Sequence, residues 1–414
     1  MTVSQGCYDV VVIGAGPSGA VASSLLADYG YKVLVLEKEH FPRFSIGESL
    51  LPQSMEFLEQ AGMLQAVVEA GFQYKNGAAF TRADDYDCFD FRQKFSSGWG
   101  TTFQVQRDRF DKILADCASS RGVEIRYGQT VVAVETVADA MQVDVISDDG
   151  SVFQVSAAFI LDGSGFGRVL PRLMQLEKSS ALASRVSLFT HIEDNITDTS
   201  FDRNKILITV HPEHRNVWYW LIPFSNGRAS AGVVLPREMY VGLEGTEGEI
   251  LQQFIAEGGM LKRVLENAAF DTPVGIIDGY SCDVETLYGE RFALLGNAGE
   301  FLDPVFSSGV TIALKSASLA AEVVHQQLQG LQPDWKAEYA IPLMQGVDTF
   351  RAFVEGWYDG RLQDVIFAED KSNQIKEMIS SILAGYAWDT ENPYVRDPDR
   401  LTTLAELCCN GFRN

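Results

Sequence analysis

The chain is short of several things, and each shortage narrows what it can be. No run of about 18 apolar residues occurs in its 414 residues, so no membrane-spanning helix is expected. The opening stretch MTVSQGCYDV runs straight into a strand pattern, without the basic segment, apolar core and cleavage site of a secretion signal. A cytoplasmic location is the expectation. Positive charge is scarce: 33 Lys and Arg stand against 56 Asp and Glu, and the formal charge of −23 opposes nucleic acid and anionic membrane surfaces at long range. Only six cysteines occur, at Cys7, Cys88, Cys117, Cys282, Cys408 and Cys409. None has a CxxC or Cys/His spacing suited to a metal, and the set suits a reducing compartment. Cys408 and Cys409 read as adjacent thiols in a C-terminal helix or tail. Repeats, low-complexity tracts and flexible linkers are also missing, so the two or three domains that this length allows are expected to pack as one body.

What is present begins at residue 9. DVVVIGAGPSGAVASSLLADYGYKVLVLE sets a glycine loop between an apolar strand and a helix, then closes a second strand with an acid. Gly14 lets the chain turn sharply out of the strand, Gly16 leaves room for a pyrophosphate beside the backbone, and Gly19 lets the helix pack closely on the sheet. The helix N-terminus then faces a phosphate group. Glu37, at the end of the second strand, is placed to accept hydrogen bonds from ribose hydroxyls. The group held is an adenosine diphosphate, and the pattern alone does not choose between FAD and NAD.

Further along, the spacing predicts a helix over 107–120, short strands near 123–127 and 130–134, and a β-meander through MQVDVIS and VFQVSAAFILDG with a turn at DDG. The runs SRVSLFTHI, KILITV, VWYWLIPF and ASAGVVL read as an antiparallel sheet, separate from a parallel one. Helical periodicity returns over 245–268, and nearly everything after 310 is helical. The expected fold is mixed α/β: a Rossmann-like FAD-binding domain from 1–80, 101–180 and 281–330, an inserted antiparallel-sheet substrate domain from 81–100 and 181–280, and a helical region over 331–414. The substrate pocket is expected between the 185–235 sheet and residues 72–103, whose Phe89, Phe91, Phe95, Trp99 and Phe103 are more ordinarily core. Trp357 and Trp388, in the C-terminal helices, are expected either to cap that pocket or to buttress the core.

A second cofactor element follows the strand RFALL. GNAGEFLDPVFSSG is a loop of small residues leading into a long helix near Ser308 or Gly309, which aims a second helix N-terminus at a ligand. A cofactor held at one end by Gly14 to Gly19 and at the other by this loop must be long. A flavin ring gains from helix-dipole stabilisation of charge near N1 and O2, so FAD is favoured over NAD.

GAGPSG at 14–19, RDRFD at 107–111, DGSGFGR at 162–168 and GNAGEFLDP at 296–304 together resemble the flavoprotein monooxygenases of the aromatic-hydroxylase fold, over essentially the whole chain. By that resemblance Arg107 contacts the flavin, Asp162 and Gly163 lie near the pyrophosphate, and Asn297, beside Gly296, replaces an Asp at the ribityl position. Pro17, Ser18, Lys38, Arg43 and Ser49 complete the expected contacts at the nucleotide end. Pro304, Ser307, Ser308, Gly309 and Val310 do so at the ring.

Three further pieces resemble flavin-dependent halogenases. Trp218, Trp220, Ile222 and Pro223 match a WxWxIP pattern, and Phe301, Pro304, Ser307 and Gly309 match FxxPxxSxG. Lys75 falls where the family's catalytic lysine follows a GES segment, here Gly47, Glu48 and Ser49. The resemblance implies reduced FAD from a separate flavin reductase, a C4a-hydroperoxide attacked by chloride or bromide, and hypohalous acid carried to an electron-rich aromatic substrate, either a free small molecule or one tethered to a carrier. Lys75 would hydrogen-bond the electrophile or form a haloamine with it. The tryptophans would discourage direct oxygen transfer, and Asp303 would act as a base or orient the electrophile. Other chemistry on the same scaffold stays open: a monooxygenase, a geranylgeranyl-reductase-like enzyme, or a non-catalytic prenyl-carrier-like protein.

Overall fold

The computed structural model describes residues 3–369 and 371–410, and two large sheets organise them. In the first, Phe292–Leu294, Val152–Asp162, Val3–Ile13, Val33–Leu36 and Glu124–Arg126 lie side by side and parallel. Val10, Val11 and Val12 are fully buried, as expected of a strand covered on both faces. The helix Pro17–Asp28 packs on one side of them. The predicted meander exists, as Gln129–Val137, Ala140–Ser147 and Val152–Asp162 in antiparallel array. Its last strand, however, is also the parallel neighbour of Val3–Ile13 and therefore a central strand of the nucleotide sheet.

The second sheet runs Gly275–Asp278, Arg185–Glu193, Arg228–Pro236, Trp218–Pro223, Lys205–Val210, Gly77–Arg82, Asp85–Asp90. It is mixed where a wholly antiparallel sheet is expected from sequence, because Lys205–Val210 pairs parallel with Gly77–Arg82. That strand also crosses the boundary drawn at residue 80. The Trp218–Pro223 strand is buried on both faces by alternation. Trp218, Trp220 and Ile222 face the main core, while Tyr219 and Leu221 face a second core beneath the helix Glu247–Glu257. Opposite Trp220 stands Gly232, where a Cβ would lie 2.4 Å from the indole. The missing side chain is what admits the ring.

The long helix Ser308–Leu328 packs against Pro17–Asp28, and Ile341–Tyr358 packs behind it. Trp357 is buried against Phe80 and Phe306, and the partly buried Trp388 packs on Phe350; both buttress the core. The helix Arg400–Asn410 holds Cys408, whereas the side chain of Cys409 lies outside the described residues. No helix among the described residues is long and apolar enough to cross a membrane.

Candidate active site

A single cleft runs from the first βαβ unit to the Trp218–Pro223 strand. At its nucleotide end, Gly14 sits at φ +91°, in the left-handed region that favours glycine, and a Cβ there would lie 2.7 Å from the Gly163 carbonyl oxygen. A Cβ on Gly19 would come within 2.0 Å of the Gly14 carbonyl oxygen, so the helix can approach the strand only because that position is glycine. Gly16 is different. A Cβ there would meet only the Arg43 guanidinium, at 3.5 Å, on the open side of the turn. The helix starting at Pro17 has no side-chain cap and no acid in its first turn, so its leading amides stay available to an anion.

Glu37 lines the cleft and is held by two backbone amides, Ala15 at 2.8 Å and Glu39 at 3.0 Å. Arg43 bridges to Asp111 at 3.3 Å and stands 3.9 Å from Glu37. Arg107 is bidentate to Asp111 and donates to the Ile46 carbonyl at 2.6 Å, tying the 107–120 helix to the 46–49 loop. Pro17, Ser18, Lys38, Ser49, Gly163, Asn297 and Val310 join these residues along the cleft. Asp162 is elsewhere: fully buried, it accepts from the amides of Ser164 and Leu170 and holds the turn that follows its strand. Burial raises its pKa.

At the other end, Ser307 sits at φ +57° and opens the Ser308–Leu328 helix, again with neither a side-chain cap nor an acid in the first turn. Phe301, Pro304, Ser307 and Gly309 line the cleft here, across from Trp218, Trp220 and Ile222. Gly296, Ser308 and Pro223 lie behind the lining, with Gly296 at φ +50° packed where a Cβ would meet Ala313 at 2.7 Å. Two uncapped helix starts, an Arg-flanked glycine turn and a ribose-side carboxylate fit a long dinucleotide such as FAD.

Lys75 is completely buried, where a lysine between polar neighbours is usually solvated. Its strand, Gln73–Lys75, pairs with Thr102–Gln104 and turns the side chain inward. The amine donates to Ser49 Oγ and to the Leu50 carbonyl, both at 2.7 Å, and no carboxylate among the described residues pairs with it. Burial alone lowers its pKa to about 7. A neutral amine has two N–H donors; both are used, which leaves the nitrogen lone pair over. Lys75 does not itself line the cleft and meets it through Ser49.

Asp303 also lies behind the lining. Its Oδ2 accepts from Tyr358 at 2.7 Å and Tyr280 at 2.9 Å, its Oδ1 from the Val305 amide at 3.0 Å, and burial pushes its carboxyl upward. Tyr358 receives the Trp218 indole N–H at 2.9 Å, and the Arg185 guanidinium lies 3.2 Å from the Tyr358 ring centroid. This carboxylate is occupied in holding the wall. The expectation that residues 72–103 line the pocket is corrected: Phe89 and Phe91 are core, Phe95 and Trp99 face outward, and none of the segment reaches the cleft. Phe44, Glu48 and Phe166 take that place; Phe166 falls within the DGSGFGR motif and Glu48 within GES, whereas no sequence pattern marks Phe44.

Residues 7–238 match the family described as FAD binding domain. The chain is 27% identical over 386 residues to the 1H-pyrrole-2-carbonyl-[peptidyl-carrier protein] chlorinase of Pseudomonas fluorescens, covering 88% of this chain and 86% of that one. A flavoprotein/dehydrogenase from Cytophaga hutchinsonii superposes with a TM-score of 0.94 at 43% identity, over 98% of this chain and 100% of that one. The flavin-dependent brominase Bmp2 does so with a TM-score of 0.75 at 26% identity, over 98% and 96%.

Proposed function

We propose, from the premise that the chain belongs to the FAD-binding domain family and within it to the flavin-dependent halogenases, that it takes reduced FAD from a separate reductase, oxidises chloride or bromide, and halogenates an electron-rich aromatic carbon. One observation carries the reading: a buried amine with no counter-ion among the described residues, bonded to Ser49 on the same cleft that the Trp218, Trp220 and Ile222 wall encloses. Bound reduced FAD, with oxygen, supplies the oxidising power that makes hypohalous acid from halide.

The chain's own residues do the rest. The amides after Gly16 and the Arg43 guanidinium bind the pyrophosphate, and Glu37 takes the ribose. The uncapped helix start at Ser308 favours an anion beside the 304–309 loop. Trp218, Trp220, Ile222 and Phe301 exclude water, which would otherwise consume the electrophile. Lys75 intercepts it: the amine lone pair takes the halogen from the hypohalous acid, and an N–H proton leaves with the hydroxide as water. Asp303 is a positioning residue, acting on the wall through Tyr358.

The substrate is a small aromatic. The carrier-tethered pyrrole named for the chlorinase is one form it could take, although the charge of −23 weighs against docking of an acidic carrier. The test is turnover of reduced FAD with phenols, pyrroles and indoles, with chloride, with bromide and without halide. Product is expected only with halide. Lys75→Ala is expected to oxidise flavin at the parent rate while making no halogenated product. Oxygen insertion in halide-free buffer, oxygen-independent saturation of a polyprenyl chain, or undiminished halogenation by Lys75→Ala would each overturn the reading.

A further inference from the structure

The 47–49 segment sends adjacent side chains to different partners. Ser49 meets Lys75, while Glu48 reaches across to the second sheet, where its Oε1 lies 2.5 Å from His191 Nε2. Glu48 is buried and lines the cleft; His191, on the Arg185–Glu193 strand, is partly open. The imidazole is boxed by rings, with Phe44 edge-on at 5.3 Å and Phe224 at 5.2 Å. Phe44 stacks on Phe189 at 6.0 Å with 3° between planes, and Phe189 lies 6.5 Å from Trp220. Among the described residues nothing bonds the second imidazole nitrogen. Phe44, Trp220 and Glu48 line the cleft here, with the part-exposed imidazole bonded to Glu48, directly beside the residue that holds Lys75.

Structure alone does not require such a pair. A clamp between loop and sheet needs no part-exposed imidazole, and a desolvated carboxylate costs free energy unless a proton or hydrogen-bond donor meets it. Phe44, 58% exposed, is a large apolar side chain on the same part of the cleft.

We infer that the Glu48–His191 pair anchors the substrate, which is a hydroxyarene whose O–H docks on the pair and gives up its proton to it. The O–H bond breaks, its electron pair stays on oxygen and feeds the ring, and the proton resides on the pair. No oxidant or reductant takes part in this step. The ring is made more nucleophilic beside the electrophile-carrying amine. A site built to receive an O–H rejects an analogue that lacks it, since the buried polar groups are then left unpaired. The inference rests on the halogenase reading and narrows its substrate.

The experiment titrates protein carrying oxidised FAD with 4-nitrophenol, at a fixed pH about one unit below the dye's own pKa, and reads the phenolate band by difference absorbance. The bound dye is expected to be mostly phenolate, and 4-nitroanisole is expected to bind at least about tenfold more weakly. Glu48→Gln and His191→Gln are each expected to weaken 4-nitrophenol at least about tenfold and to leave it neutral. A dye bound as the neutral phenol, equal binding of the ether, no binding of the phenol, or variants that lose thermal stability while keeping the colour would each overturn the anchor. The ether comparison uses the parent protein, so the result stands even if a variant fails to fold. Because no halide, oxygen or reduced flavin is present, its failure is distinguishable from that of the halogenase reading.

Discussion

Lys75 carries its burial as a measurable cost. Its pKa falls from the ordinary 10.5 to about 7, so between those values the unfolded chain holds a proton that the folded one has released. Stability therefore rises with pH across that window, and the full penalty of burying the charge applies below about pH 7. Lys75→Met keeps much of the side-chain length, removes the charge and loses two hydrogen bonds, a change that does not vary with pH. The variant is expected to gain on the parent as pH falls, by a few kcal/mol between about pH 10 and pH 6 at roughly 1.4 kcal/mol per pKa unit. Urea midpoints at the two ends of that range check it. Parallel pH profiles for parent and variant would mean that the amine titrates as if solvated.

At the scale of elements, the Trp218–Pro223 strand, the 303–306 turn and the Ile341–Tyr358 helix meet at one carboxylate. Asp303→Ala strands two buried tyrosine hydroxyls and an amide, and is expected to cost on the order of 3 kcal/mol, read by denaturant midpoint with Trp218 fluorescence as the local reporter. Asp303→Asn keeps one acceptor oxygen and should lose about half as much. Equal losses would mean that charge, and not hydrogen-bond acceptance, holds the wall. The nucleotide turn was legible in sequence because its physics is local: glycine spacing, strand apolarity and helix start all lie within thirty residues. The mixed sheet was not, since Gly77–Arg82 pairs with a strand more than a hundred residues later. The same distance hides the site's other half. Lys75 looks solvated until Thr102–Gln104 pairs with its strand, and Glu48 and His191, 143 residues apart, share no local pattern.

For the whole molecule, the cleft lies between two sheets that share one core, so a cofactor filling it binds elements from both. Anything that binds only the folded chain raises its stability with the logarithm of free ligand, by about 2.7 kcal/mol at a hundredfold excess over Kd. FAD is therefore expected to raise the melting temperature steadily as its concentration increases, with one transition throughout. Gly19→Ala should abolish that dependence, because the added methyl would stand 2.0 Å from the Gly14 carbonyl oxygen and force the helix off the strand whose turn holds the pyrophosphate. The apo variant should also melt below the apo parent, since the displaced helix leaves the Ser308–Leu328 helix packed against it without its full contact. Calorimetry of parent and variant with graded FAD separates the two effects. A variant that melts lower yet still gains stability with FAD would show that the glycine serves packing alone, and that the dinucleotide is gripped by the Ser308 end of the cleft.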